Sequence, residues 1–144
     1  MHRSCRGTTD AAALAMLMPS VSRYMTLVPI TIPRTATVST ARQLMRDHHI
    51  HHLPVVENGE LVGVVDEREL GEVDGDREIA PIEQAMSRRT LVVTSDTALD
   101  EVVEIMCDHA YGSAVIVGRR GIEGIFTKSD ACRVLASVLR LATS

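Results

Sequence analysis

The sequence predicts an α+β fold made of two β-α-β-β-α units in tandem, related by a pseudo-twofold axis. Three observations predict it. Residues 25–73, moved by 61 positions, fall on 86–134 without a gap, and Met25, Met45, Asp47-His48, Val56 and Gly63 land on Met86, Met106, Asp108-His109, Val117 and Gly124. Within each copy an amphipathic helical stretch lies between a short apolar strand and an apolar–turn–apolar hairpin. With no Trp, one Phe and two Tyr among 144 residues, the core must be aliphatic. Two copies are too few for a solenoid, and a unit near 60 residues is marginal alone. The copies are therefore expected to close on each other, leaving a cleft of the kind that binds ligands.

Each element has its own signal. Residues 1–9 are polar and expected to be disordered, and Ala11 to Met18 reads as a helix that Pro19 ends. Val28 to Ile32 reads as a short strand bounded by Pro29 and Pro33. Val38, Ala41, Leu44, Met45 and His48 recur at helical spacing. Leu53 to Val56 and Leu61 to Val65 are strands joined by Glu57-Asn58-Gly59-Glu60, with Asn-Gly the hairpin signal. A short helix follows from about Glu67, and the Gly- and acid-rich stretch Gly71 to Glu78 links the copies.

Pro81 opens a one-turn helix through Met86, and Leu91 to Val93 is the next strand. Thr97-Ala-Leu-Asp100 looks like a capping box for a helix carrying Leu99, Val102, Val103, Ile105 and Met106. Ala114 to Val117 and Ile122 to Phe126 form the second hairpin around Gly118-Arg-Arg-Gly121, and Ser129 to about Leu141 is the last helix. In each copy the first strand is expected to lie apart from the hairpin. The expected divisions are 1–19 (tail and short helix), 20–73 (first unit), 74–80 (linker) and 81–141 (second unit).

Charge and composition exclude several classes. The net charge is −4, and the Lys and Arg residues are scattered, so no basic stripe for nucleic acid is present. The pairs Arg88-Arg89 and Arg119-Arg120 read as solvated loops or as the rim of an anion entrance. The longest apolar run is too short to span a bilayer, and no cleavage site follows it. Cys5, Cys107 and Cys132 lack metal or disulfide spacing, so a reducing cytoplasm is expected. Cys107 and Cys132 are expected as buried packing residues rather than nucleophiles. No nucleophile elbow or Walker sequence is present, and the chain is read as non-enzymatic.

The sharpest local motif is Gly124-Ile125-Phe126-Thr127-x-x-Asp130, at a strand-to-helix junction. The helix start favours an anion, the Thr127 hydroxyl can donate to a phosphate oxygen, and Asp130 can accept from two ribose hydroxyls. On the residues alone, Thr127 as an N-cap with Asp130 in the first turn is the plainer account. In the first copy, Gly63-Val-Val-Asp66-x-x-Glu69 puts a carboxylate where that hydroxyl would be. Two unit charges about 4 Å apart at an effective dielectric near 20 repel by roughly 4 kcal/mol. A phosphate is thereby disfavoured, and a helix-start role for both carboxylates is the simpler account. His48, His49, His51 and His52 could hold a transition metal, but they straddle a helix end and a strand start, so no metal site is expected.

The order and spacing of these pieces resemble the cystathionine β-synthase (CBS) domain, whose tandem pair is called a Bateman module. Met25-Thr26, Ala36-Thr37-Val38, His48 through Val56 and Glu60 through Val65 carry the resemblance in the first copy. Met86-Ser87, Gly112 through Val117 and Gly124 through Asp130 carry it in the second, so the match covers roughly 20–140. The resemblance implies that Thr127 and Asp130 hold an adenosine ligand, with Ile30, Ile50, His51 and Ile125 around the base. It implies a second, weaker site at Asp66, Glu69, Leu91, Tyr111 and Gly112, empty or taking something uncharged or cationic there, such as S-adenosylmethionine.

The function expected from the resemblance is a stand-alone regulatory module. It would bind AMP, ADP or ATP without a required cofactor, form a homodimer, and signal by conformational change to an unknown regulated protein. Nucleic acid and membrane are not expected partners. The alternatives are a ligand-free dimerisation or interaction module with a vestigial cleft, and a metal-binding protein acting through His48 to His52.

Overall fold

A computed structural model describes residues 17–27 and 30–142. The first copy supplies β1 (Thr26–Leu27), β2 (Ile32–Pro33), α1 (Val38–His48), β3 (His52–Glu57), β4 (Glu60–Asp66) and α2 (Glu67–Leu70). After α3 (Gly75–Glu78), the second copy supplies β5 (Leu91–Val93), α4 (Leu99–His109), β6 (Ser113–Gly118), β7 (Gly121–Thr127) and α5 (Lys128–Ala142). The strands form two sheets, one ordered β2-β3-β4 and the other β1-β7-β6-β5. The α+β class and the tandem arrangement are those the repeat predicts.

The first strand of each copy does not lie apart from the hairpin. β2 runs parallel to β3, and β5 parallel to β6. Parallel neighbours need a crossover, and α1 and α4 supply it. Both hairpins are antiparallel and carry a register shift at the same repeat position, after Val55 and after Ile116. At the first turn Asn58 and Gly59 have φ of 54° and 81°, the pair of positive angles that a two-residue hairpin turn requires.

The expected strand Val28 to Ile32 is replaced by two short strands in different sheets, β1 and β2, with 28 and 29 outside the described residues. The expected helix Ala11 to Met18 also lies outside the described residues, except for Leu17 and Met18. Within the expected linker, α3 forms a short helix whose N-cap, Asp74, accepts a bond from the Asp76 amide. The expected capping box at Thr97 does not form. α4 starts at Leu99 with Ala98 as N-cap and no side-chain bond, whereas Thr37, its repeat equivalent, caps α1 by accepting from the Thr40 amide.

The copies are joined by exchange. Each has its own core, one of Ile32, Val38, Met45, Leu53, Val65 and neighbours, the other of Leu99, Val102, Met106, Ile116, Phe126 and neighbours. Each core also receives a fully buried residue from the lead-in of the other copy. Val21, in a turn of 3-10 helix before the first copy, enters the second core, and Ile82, from the equivalent turn before the second copy, enters the first. Backbone bonds repeat the exchange in register, with Val21 N donating to Thr97 O at 2.8 Å and Ile82 N to Ala36 O at 2.7 Å.

Glycine permits the last contact between copies. β1 pairs with β7 through Thr26–Ile125 and Leu27–Gly124, and Val64 makes the equivalent bridge to Ser87. A Cβ on Gly124 would sit 2.8 Å from the Thr26 carbonyl oxygen, and one on Gly63 would sit 2.7 Å from that of Ser87. Only a residue without a side chain lets these strands approach so closely.

The free Cys107 and Cys132 are exposed rather than buried. The buried face of α4 is Leu99, Val102 and Met106, and at 3.6 residues per turn Cys107 points roughly 100° away from Met106. Helix α5 buries no residue fully and leaves Leu135, Val138, Leu139 and Leu141 more than half exposed.

Candidate functional site

Exchange places the C-terminal end of β7 opposite the α1–β3 junction, and the C-terminal end of β4 opposite the α4–β6 junction. Each facing pair leaves a cleft.

The first cleft, of about 380 Å³, brings together Ile30, Ile50, His51, Ile125, Thr127 and Asp130. These are the six residues the sequence reading grouped. Thr127 ends β7, and Asp130 lies one turn into α5. Their side chains bond each other. The Thr127 amide and hydroxyl donate to Asp130 Oδ2 at 2.9 and 3.1 Å, and the Asp130 amide donates back to Thr127 Oγ1 at 3.3 Å. This reciprocal cap fixes the geometry at the start of α5. The remaining oxygen, Asp130 Oδ1, accepts from Arg133 at 3.1 Å. The Asp130 side chain is 16% exposed and the Arg133 side chain 76%.

All four clustered histidines border this cleft. His48 ends α1, and His49 is its C-cap in the left-handed region with φ 53°. His51 pairs with the Glu67 carboxylate, and His52 opens β3. They point to different partners, and among the described residues no group of three or more His, Cys, Asp or Glu side chains is arranged to hold a metal ion.

The second cleft, of about 460 Å³, is bordered by Asp66, Glu69, Tyr111 and Gly112. Leu91, grouped with them in the sequence reading, does not border it. β5 is paired along β6, and the Leu91 side chain packs against the second core. The two carboxylates are committed to α2, where Asp66 Oδ1 accepts from the Arg68 amide at 2.7 Å and Glu69 Oε1 from the Asp66 amide at 3.1 Å. Asp66 is not a surface carboxylate, for its side chain is 15% exposed, with its other oxygen 3.3 Å from His52 Nε2. Gly112 abuts this pair, and a Cβ there would lie 3.4 Å from His52 Nε2.

Three cations also border the second cleft: Arg68, Arg89 and Lys128. Arg89 lies 4.9 Å from the centre of the Tyr111 ring and donates to the His109 carbonyl at 3.1 Å. Repulsion between a phosphate and Asp66 is therefore not the whole electrostatic account of this cleft. In the sequence Arg89 stands out only as part of a basic pair and Lys128 only as a member of the Gly124 to Asp130 stretch, and Arg133 has no local signal. Lys128 follows the second copy's Thr127 yet borders the other cleft, because the β6–β7 pairing sets its amide on the Gly112 carbonyl at 3.1 Å.

His52 borders both clefts. Burial lowers its pKa below the ordinary imidazole value, against the pull of Asp66. His51 and Arg68 lower it further, and Asp130 raises it. Burial also raises the Glu69 carboxyl above its ordinary value, with its bond from the Asp66 amide acting against this.

Comparison with known proteins agrees with this architecture. The CBS domain family model matches residues 21–73 and 79–137. The CBS domain-containing protein YhcV of Bacillus subtilis is 27% identical over 116 residues, covering 78% of this chain and 83% of YhcV. AcuB of Vibrio cholerae superposes with a TM-score of 0.74 at 29% identity, over 88% of this chain and 96% of AcuB. The CBS domain pair of protein MJ0100, solved with 5-methylthioadenosine and S-adenosylmethionine, superposes with a TM-score of 0.72 at 25% identity, over 81% of this chain and 98% of that one. With both family segments falling on the two repeat copies, this chain belongs to the CBS domain family and folds as a tandem pair, a Bateman module.

Proposed function

We propose that this module is a regulatory sensor that binds an adenosine-containing ligand in the cleft at Thr127 and Asp130, and that it catalyses no reaction. The observation that carries the reading is the convergence of the Thr127–Asp130 pair from one copy with Ile30, Ile50 and His51 from the other. The apolar side chains suit the faces of an adenine, and the hydroxyl–carboxylate pair suits a phosphate and a ribose. The cleft volume, about 380 Å³, falls in the range of small-molecule sites. The methylthioadenosine and S-adenosylmethionine held by the CBS pair of MJ0100 support the same ligand class.

AMP, ADP and ATP are the first candidates. The second cleft, at Asp66, Glu69, Tyr111 and Gly112, is a separate site in this reading, and its cations admit an anionic group there. A ligand between the copies would change their relative tilt and shift a partner's binding by its differential affinity for the two arrangements. A homodimer, supported by the exposed apolar residues of α5, would transmit that tilt. A reducing cytoplasmic setting accords with free Cys107 and Cys132. Among the described residues no helix is long and apolar enough to cross a membrane.

A second reading, a ligand-free interaction module, is favoured by the same α5 residues and by the mutual capping of Thr127 and Asp130. Thermal denaturation with a panel of adenosine compounds separates the two. A ligand present at a hundred times its dissociation constant adds about 2.7 kcal/mol, and Asp130→Ala removes that gain. No shift with any compound of the panel refutes the sensor reading.

A further inference from the structure

We infer that Arg133 makes the Thr127 cleft a reader of ligand charge, selecting a phosphate-bearing adenosine ligand over an uncharged or cationic one. This inference rests on the ligand reading above and narrows it to a substrate class.

Both oxygens of Asp130 are occupied in the structure. Oδ2 accepts twice from Thr127, and Oδ1 accepts from Arg133 at 3.1 Å. Oδ1 keeps one acceptor site, so a ribose that bonds Asp130 does so beside the guanidinium or in its place, and either way it competes with Arg133 for the charge of that oxygen. The exchange is easy at the protein end, because an ion pair whose arginine is 76% exposed is weakly held. What decides the outcome is what the released guanidinium finds. A nucleotide brings a phosphate, which fits the planar fork of an arginine. The ribose then replaces Arg133 on Asp130, and the phosphate replaces Asp130 on Arg133. A nucleoside or thioether takes the carboxylate and returns nothing, and a sulfonium adds a like charge.

No other side chain of the cleft is a permanent cation among the described residues. Arg133 is the one Arg or Lys bordering it among the described residues. The other groups able to carry positive charge there are His48, His49, His51 and His52. His51 pairs with Glu67, and His52 faces Asp66. The repeat equivalent of Arg133 is Glu72, so the feature belongs to this cleft alone and does not follow from the symmetry.

The test is calorimetric titration of the intact protein at pH 8, where imidazoles carry little charge. AMP, adenosine and methylthioadenosine are titrated into wild type, Arg133→Gln and Arg133→Lys. Wild type is expected to prefer AMP by about tenfold or more, the scale of a charge-assisted pair. Arg133→Gln is expected to collapse that preference to about threefold or less, and Arg133→Lys to retain most of it. An unchanged preference in Arg133→Gln, or equal affinities in wild type, overturns the inference and leaves the ligand reading standing. Loss of all three ligands on Arg133→Gln also overturns it, since the side chain would then be shaping the site rather than reading charge. If wild type binds none of the three, the ligand reading itself fails, and this inference fails with it.

Discussion

Replacing Gly124 by alanine sets two effects of opposite sign against each other, and the structure decides between them. Gly124 is not at a positive φ, so an alanine fits its backbone angles. On that ground alone the change should stabilise the protein by about 0.4–1 kcal/mol, through loss of freedom in the unfolded chain. Against this, the new Cβ would lie 2.6 Å from Met25 Sδ and 2.8 Å from the Thr26 carbonyl oxygen. The thioether can swing away, but the carbonyl belongs to β1, which would have to retreat by about half an ångström and strain its pairing with β7. Such overpacking costs about 1–3 kcal/mol, and at the midpoints of the two ranges, about 2 against about 0.7 kcal/mol, the clash wins by roughly 1.3 kcal/mol. At about 3 °C per kcal/mol for a domain of this size, Gly124→Ala should lower the melting temperature by roughly 4 °C. Gly75→Ala is the matched control, since nothing lies within 4 Å of its Cβ, and it should raise the melting temperature slightly. Thermal denaturation followed by circular dichroism reads both. An unchanged or raised melting temperature for Gly124→Ala would refute the claim that close strand approach clasps the copies together.

Three further outcomes are expected. Ile82→Ala should cost about 2–5 kcal/mol, the usual range for a buried isoleucine, and denaturation followed by separate probes in each copy should remain one transition, because Ile82 plugs the first core from the second copy's lead-in. Ala98→Ser should stabilise α4 by about 1 kcal/mol by adding the missing cap, measured as a higher midpoint in urea. Because burial holds the His52 pKa below 6.5 in the folded protein, the unfolded chain binds more protons between that lowered value and 6.5. Stability should therefore rise with pH through this window and level off above it, and His52→Gln should flatten the rise in urea titrations between pH 5 and 7.

Much of the fold was legible because its signals are local. α1 has the bounds its apolar spacing suggests, from Val38 to His48, and the Asn58-Gly59 turn sits where the dipeptide marks it. The parts that were not legible depend on exchange. A two-residue strand such as β1 has no periodicity to read, and its partner lies about a hundred positions away in β7. Yet the sequence held a usable signal: Gly63 and Gly124 recur in register with Met86-Ser87 and Met25-Thr26, the residues they touch across the copies. The Thr127 grouping came from the family resemblance, and the structure brings those residues to one cleft. Arg133 was passed over because its role depends on which oxygen of Asp130 remains, a matter of geometry rather than spacing.

The asymmetry of the two clefts follows from three repeat positions. Where the second copy has Thr127, Asp130 and Arg133, the first has Asp66, Glu69 and Glu72, on backbones that the repeat makes equivalent. One neutral-to-acidic change, one acid kept as an acid and one reversal of sign would leave the Asp66 cleft strongly negative if each site were built from its own copy. The facing of the two copies prevents that, because Arg89 and Lys128 arrive from the second copy and join Arg68 of α2. The clefts differ, then, less in net sign than in arrangement. The first pairs one carboxylate with one arginine at a shared oxygen, while the second spreads three cations around carboxylates already bound to their own helix. His52 stands between them, and its protonation responds to both Asp66 and Asp130. That half-buried imidazole borders both clefts, so it is the one titratable side chain among the described residues that the two sites have in common.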